Sequence, residues 1–356
     1  MLEKLSNAFG VSSVEGDVRE IILEAAKPYA DAWRIDPMGN LFVTRNARKP
    51  VEGQPLRVMI AAHMDEVGFM ISKIQKDGRL KFEAIGSFDR RVLLGKAVLV
   101  GQNRVPGVIG LKPIHLLGTG QRGQVDDIDS MYIDIGATDS KADGKVVPGD
   151  FATFATQFTR LGAGDDEAPS PDRGRVKGKA LDDRAGCAVL LELLQGDYPV
   201  ELHAVFTVQE EVGLRGARVA GYAVNPDLAF ILECTAADDL PHPDKEKNDG
   251  FPRLGDGPAI TVMDRTFIAD RRLVDLLLDT AAAEDLPSQF KRPGIGGTDA
   301  GAVHLAREGV PTVAVSIPAR YIHAPAAILD LADFRNTVTL MQAALNRLPG
   351  QDWTSA

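Results

Sequence analysis

The stretch "VMIAAHMDEVGFM", residues 58–70, decides how the rest of the chain is read. Val58 to Ala62 form an unbroken small or apolar run, the texture of a strand buried on both faces. The run ends in His63, Asp65 and Glu66. Residues two apart share a face of extended chain, so a histidine and a carboxylate arrive together where the strand leaves the core. In doubly wound sheets ligands bind at that point, outside the carboxyl ends of the strands.

Upstream, "LEKLSNAF" and "EGDVREIILEAAKPYA" read as helices, the second with Val18, Ile22 and Ala25 at helical spacing. "DPMGN" (36–40) is a turn and "LFVTR" a short strand. Downstream, from 69 to 165, short β-like runs follow one another: "VGFMISKI", "RLKFEAI", "AVLVG", "VPGVIG", "MYIDIG" and "FATFATQF". Gly, Pro and Asp punctuate them and no long amphipathic helix interrupts, which predicts a small inserted β domain or barrel.

From 180 onward helices and strands alternate. "DRAGCAVLLELLQ", "RGARVAGYA", "DRRLVDLLLDTAAAE" and "LADFRNTVTLMQAALNRL" read as helices; "ELHAVFTV", "DLAFILEC" and "PTVAVSIP" read as strands. Apolar strands separated by helices predict an α/β fold with a mainly parallel central sheet flanked by helices. Both chain ends build it, around the inserted barrel.

The chain has 356 residues, 44% hydrophobic and 25% charged, enough for a sizeable core and long for one domain. Its net charge of −10 and pI near 5.2 argue against nucleic acid or an anionic membrane as the main partner. Its two cysteines, Cys187 and Cys234, both lie in apolar runs, so a disulfide scaffold is not expected and a reducing compartment fits. "MLEKLSNAFGV" has no secretory pattern, and no apolar run approaches the roughly 18 residues of a membrane span. These features predict a soluble, cytoplasmic protein.

Metal-binding residue types recur at element ends. After "VMIAA" come His63 and Asp65; after "HAVFTV", Glu210 and Glu211; after "LAFIL", Glu233; after "TVAVSIPARYI", His323; and Asp182 and Asp183 open a helix. Taken singly, Asp182 reads as a helix cap, His323 as a surface imidazole and Cys234 as a packed thiol. Taken together, two imidazoles and several carboxylates suit one or two divalent cations. Where a strand bends into a loop, adjacent Glu210 and Glu211 can face one cavity, one binding metal and the other serving as a general base. His115, His203, His242 and His304 show no acid partner in pattern and are read as structural. "GIGGTDAG" (294–301) lacks the Lys-Ser/Thr of a phosphate loop and reads as a close backbone approach to a substrate.

The segments "AAHMDEVGFMI", "GVIGLKPIHLL", "YIDIGATD", "GKALDDRAGCAVLLELL", "FTVQEEVGLRGA" and "GGTDAGAVHLAREGVPTVAVSIPARYIH" resemble, in order and over almost the whole chain, the M42 family of dinuclear metallo-aminopeptidases. That family includes the tetrahedral and glutamyl aminopeptidases. The resemblance implies a zinc-peptidase/phosphorylase-like domain (1–68 plus 166–356) and a PDZ-like β domain (69–165) that drives dimerisation. It implies two divalent metal ions per subunit, zinc or cobalt, with manganese as a further candidate. His63 would bind one ion, Asp182 would bridge both, Glu211 and Glu233 would hold one each, and His323 would complete the set. Glu210 would be the general base, Asp65 would orient His63, and an unusual peptide bond at Asp183 would aim the bridging carboxylate.

The implied substrates are short peptides, with no nucleic acid or membrane partner, and the implied assembly runs from a dimer to a tetrahedral dodecamer. Two positions depart from the pattern. Glu233 is Asp in many relatives, and "APAAILDL" after His323 lacks the Ser and acid often found there. The preferred N-terminal residue stays open; Arg253, Arg265, Lys291 and Arg292 are candidate pocket cations. Two other readings also stay open: a hydrolase like the relatives labelled endoglucanases, and a non-catalytic metal-binding assembly protein.

Overall fold

The structure, a computed structural model, describes residues 1–49, 53–112, 125–162, 173–241, 250–349 and 353. His115, His242 and the expected boundary at 165–166 lie outside them. The N-terminal part holds α1 (Leu2–Asn7), α2 (Gly16–Ala26), β1 (Ala32–Ile35), β2 (Leu41–Arg45) and β3 (Arg57–His63). Next come β4 (Gly68–Ile74), β5 (Leu80–Ile85), β6 (Ala97–Val100), β7 (Val105–Gly110), β8 (Tyr132–Asp134) and β9 (Phe151–Phe154). The chain continues through β10 (Thr159–Leu161), β11 (Arg175–Gly178), α3 (Leu181–Leu193), β12 (Glu201–Thr207), α4 (Arg215–Val224) and β13 (Leu228–Ala236). It ends with β14 (Ala259–Thr261), α5 (Arg271–Ala283), β15 (Gln289–Phe290), α6 (Ala300–Val303), β16 (Thr312–Arg320), β17 (Ala327–Asp330) and α7 (Leu331–Arg347).

Among the described residues the large sheet runs β1-β2-β12-β3-β13-β16-β17-β11-β10, with β14 on β16 and β15 on β14. Its centre, β12-β3-β13-β16, is parallel. The flanks β1-β2-β12 and β16-β17-β11-β10 are antiparallel. The sheet is therefore parallel where helices cover both faces and mixed toward its edges.

The central strands alternate between two cores. Val58, Ile60, Ala62, Phe230, Leu232, Val313 and Val315 point toward α2, α3, α5 and α7. Met59, Ala61, Ala229, Ile231 and Ala314 point toward α4 and α6. This two-residue period over continuous apolar runs is what a doubly covered strand requires. Each fully buried large side chain here contributes roughly 1.5–3 kcal/mol. In α2 the buried stripe is Val18, Ile22 and Ala26, so the four-residue step continues past Ala25.

β4 to β9 close into a barrel in the order β4-β5-β8-β7-β6-β9, filled by Phe69, Phe82, Phe154 and aliphatic neighbours. Phe69 meets Phe82 and Phe154 edge-on, with centroids 4.9 and 5.4 Å apart. β10 already belongs to the large sheet. Gly68 opens the barrel where a Cβ would stand 2.4 Å from Val11 Cγ2 and 2.7 Å from the Ala152 carbonyl. At the same seam, buried Glu66 accepts hydrogen bonds from Thr153 Oγ1 of the barrel (2.8 Å) and from Lys179 Nζ (2.7 and 2.9 Å). No described helix is long and apolar enough to cross a membrane.

Candidate metal centre

Side chains from five chain segments meet at the C-terminal ends of the parallel strands. His63 is the last residue of β3 and is almost wholly buried. Its ring Nδ1 lies 3.1 Å from the Asp65 carbonyl. A carbonyl only accepts, so Nδ1 carries a hydrogen and Nε2 is the nitrogen left to face the site. That Nε2 faces acids: Glu233 Oε1 at 3.2 Å, Asp182 Oδ1 at 3.5 Å and Glu210 Oε2 at 4.0 Å.

Asp182 is the second residue of α3, and its peptide bond to Asp183 is cis. Its second oxygen, Oδ2, lies 3.4 Å from His323 Nε2, which also lies 3.3 Å from Glu211 Oε2. Two donor groups result, His63–Asp182–Glu233 and Asp182–Glu211–His323, each with ligand atoms within 4.8 Å of one another. Asp182 belongs to both. A third grouping, Asp182–Asp183–Cys234, is otherwise engaged. The Asp183 carboxylate accepts the amides of His63 and Gly186, and Cys234 Sγ donates to the Leu181 carbonyl.

The donor set fits divalent cations on an observation of its own. Asp182 Oδ1 and Glu233 Oε2 are buried without a hydrogen-bond partner, although buried polar atoms are normally satisfied. Protonation states carry the same signature. Burial, reinforced by neighbouring acids, pushes Glu233 up to about 8 and Glu211 up to about 7. Burial also lifts Glu210 well above the carboxylate range, with Glu233, Asp299 and Glu211 adding to it. Burial would lower both imidazoles, but the acids facing them win, holding His63 well above its usual value and His323 at about 9. A crowd of acids that retains protons in a dry site is one from which a divalent cation displaces protons.

Glu233 sits inside β13, within the run "DLAFILEC" read as a strand, paired in register with Ser316. It is one residue out of phase with core-facing Leu232 and Cys234. Asp65 contacts more than the His63 ring. Its carboxylate Oδ1 stands 3.5 Å from His63 Nδ1, while the two oxygens accept the Glu210 amide (3.0 Å), the Glu211 amide (3.2 Å) and Ser12 Oγ (2.6 Å). One carboxylate thus ties the β3 exit to the bend carrying Glu210 and Glu211.

Other side chains around the site escaped the sequence reading. Asp299, inside the "GIGGTDAG" run, accepts from Thr207 Oγ1 at 2.5 Å, leaves Oδ1 unpartnered, and is pushed up to about 6 by burial. The glycines around it serve packing: a Cβ on Gly297 or Gly301 would stand 2.7 or 2.3 Å from the Thr266 side chain. His203 has an acid partner after all, Glu201 at 2.6 Å, two residues away on the same strand face. His304 Nδ1 is satisfied by the Ala300 carbonyl. Among the candidate cations, Arg253 lies 3.6 Å from Asp256, Arg292 stacks on Phe251, and Lys291 is buried below Gly296. The Arg265 amide donates to the Gly296 carbonyl.

The void beside the second donor group is small, about 20 Å³, walled by Val67, Phe154 of the barrel, Ile322 and Ala327. A far larger cleft, about 860 Å³, lies between α2, the β1–β2 turn and the barrel. The donor atoms, rather than cavity size, identify the site.

Comparison with known proteins finds aminopeptidases. The family model for M42 glutamyl aminopeptidase matches residues 39–340. A glutamyl aminopeptidase of Lactococcus lactis subsp. cremoris (strain MG1363) is 35% identical over 98% of this chain and 95% of its own. The solved TET aminopeptidase of the marine sediment archaeon Thaumarchaeota archaeon SCGC AB-539-E09 superposes with a TM-score of 0.89 at 34% identity, covering 99% of this chain and 97% of its own. The TET1 peptidase of Pyrococcus horikoshii, described as assembling into a tetrahedron or a large octahedral shell, superposes with a TM-score of 0.82 at 32% identity, covering 98% of each chain.

Proposed function

The chain belongs to the M42 glutamyl aminopeptidase family, and on that premise we propose that it removes N-terminal residues from short peptides at a centre of two divalent cations. The observation that carries the two-cation reading is Asp182, whose separate oxygens face His63 Nε2 at 3.5 Å and His323 Nε2 at 3.4 Å. His63, Glu233 and Asp182 would hold one ion; Asp182, Glu211 and His323 would hold the other. When bound, such ions supply Lewis acidity that polarises a carbonyl and acidifies a water; zinc, cobalt and manganese all suit these donors.

The chain's own groups do the rest. His63 is held with Nδ1–H on the Asp65 carbonyl, so Nε2 stays a donor of electron pairs. Glu210, whose Oε2 lies 4.0 Å from His63 Nε2, stands beside the first donor group and belongs to neither. It is the acid free to take a proton from the attacking water and return it to the leaving amine. Asp65 fixes the backbone from which Glu210 projects. Val67, Phe154 and Ile322 place apolar walls beside the second donor group. Assembly as a homo-oligomer, from a dimer to a tetrahedral dodecamer, is part of the same proposal and draws support from the TET1 relative.

The test is a metal-stripped preparation assayed with zinc, cobalt or manganese restored, on a panel of aminoacyl anilides and on β-glucan. Expected is anilide hydrolysis that appears only with metal, and no release of sugar. Chelator-resistant hydrolysis, or sugar release without peptidase activity, would overturn the reading.

A further inference from the structure

Two hydrogen-bond chains connect the loop between α1 and α2 to the segment carrying Glu210 and Glu211. In the first, Ser12 Oγ donates to Asp65 Oδ2 at 2.6 Å, and Asp65 accepts the amides of Glu210 and Glu211. In the second, Glu15 Oε1 accepts two amides at once, Ser13 at 2.7 Å and Gln209 at 3.2 Å. Both amides belong to non-glycine residues in the left-handed region, with φ of +82° and +56°. Such residues persist where their surroundings hold them, and here one oxygen holds both.

The bland account of Glu15 is a helix cap. It occupies the N-cap position of α2, yet its side chain caps none of that helix's amides. It turns instead toward Gln209, 194 positions away, and is almost fully buried there. The loop is itself anchored. The Gly10 amide donates to Glu66 Oε1, the Gly10 carbonyl accepts the Glu66 amide, and a Cβ on Gly10 would stand 2.6 Å from Val18 Cγ2 and 2.7 Å from Arg184 Nη2.

We propose that the loop from Gly10 to Glu15 is a positioning element of the metal centre, with Glu15 and Ser12 setting the Gln209–Glu211 backbone from which the general base and one metal ligand project. The inference rests on the two-cation reading above and deepens it. Glu15 and Ser12 touch no donor atom of the site; they act through Gln209 and Asp65. Burial and the nearby Asp65 carboxylate push Glu15 up to about 7. Both amides need an accepting oxygen, which a neutral side chain supplies as well as a charged one.

The test reads zinc affinity by competition with a chromophoric chelator, on the full-length chain stripped of metal. Replacing groups that orient metal ligands typically costs 10–100-fold in affinity or activity. Glu15→Ala is expected to weaken one of the two zinc ions by about 10-fold or more and leave the other within about two-fold, since Glu211 serves only one donor group. Glu15→Gln, which keeps the accepting oxygen, is expected to restore the parent affinity. Ser12→Ala removes a single hydroxyl, keeps the proposal testable should Glu15→Ala fail to fold, and is expected to weaken the same ion. Parent-like binding of both ions by Glu15→Ala, or by Ser12→Ala where the former does not fold, would overturn the inference. So would a Glu15→Gln chain as weak as Glu15→Ala. A parent chain that binds two zinc ions and cleaves no peptide would sink the proposed function and leave this inference standing.

Discussion

The amide of Glu210 donates to Asp65 Oδ1 at 3.0 Å, across 145 positions of sequence. Asp65 also accepts from Glu211 and Ser12, so its carboxylate serves three donors while fully buried. Asp65→Ala removes every one of those acceptors. Unpartnered buried donors cost about 1–3 kcal/mol each when nothing replaces the acceptor, so urea denaturation is expected to show a loss of on the order of 3 kcal/mol. A midpoint equal to that of the parent would show that water fills the gap without cost.

Glu210 itself is expected to matter for turnover and not for metal. Glu210→Gln keeps the shape and removes the base. The proposed role calls for kcat to fall about 10²-fold or more, with the zinc content of the purified protein unchanged. Loss of zinc alongside kcat would move Glu210 into the ligand set.

Asp333, far from the site, gives a pH prediction with a definite sign. It is fully buried in the first turn of α7, where its oxygens accept the amides of Gly255 and Gly257 at 2.8 Å each. Burial raises it from 3.8 to about 6. The folded chain then keeps this proton to higher pH than the unfolded chain does. The favourable contribution is whole below about 3.8 and is lost as pH rises through about 6, to a total on the order of 3 kcal/mol. Subtracting the urea-derived stability of Asp333→Asn from that of the parent, pH by pH between 4 and 7, is expected to expose this downward slope. A flat difference would show that Asp333 ionises alike in both states.

Gly68 tests how tightly the barrel is set against the N-terminal loop. An added Cβ would meet the Ala152 carbonyl at 2.7 Å, a backbone atom that cannot swing aside, and Val11 on its other flank. Gly68→Ala is expected to destabilise by about 2 kcal/mol, visible as a lower thermal midpoint. An unchanged midpoint would mean the seam yields.

Much of this architecture could be read from the chain because it rests on local patterns. Val58 to Ala62 announce a doubly covered strand by composition alone, and His63 follows because strand ends are where sheets expose function. The barrel was legible as a change of texture, from helices to short runs cut by Gly and Pro. Its strand order was not, since β4 pairs with β9 some eighty positions on and nothing local encodes that. β1 escaped because its residues are all exposed and show no alternation. Asp299 was hidden in a glycine-rich run in which Gly297 and Gly301 answer to Thr266. Glu15 was only the opening letter of a helical run, and the fold alone reveals that it accepts from Gln209, 194 positions away.

The donors of the two groups enter the chain in the order His63, Asp182, Glu211, Glu233, His323. A ribosome that has delivered everything up to residue 322 has completed one group and left the other open. The last imidazole also sits on a left-handed residue beyond β16, a strand held between β13 and β17. On the proposed reading, hydrolytic competence therefore arrives near the end of synthesis. On the same reading, a fragment truncated ahead of His323 would hold the His63–Asp182–Glu233 group and lack the other.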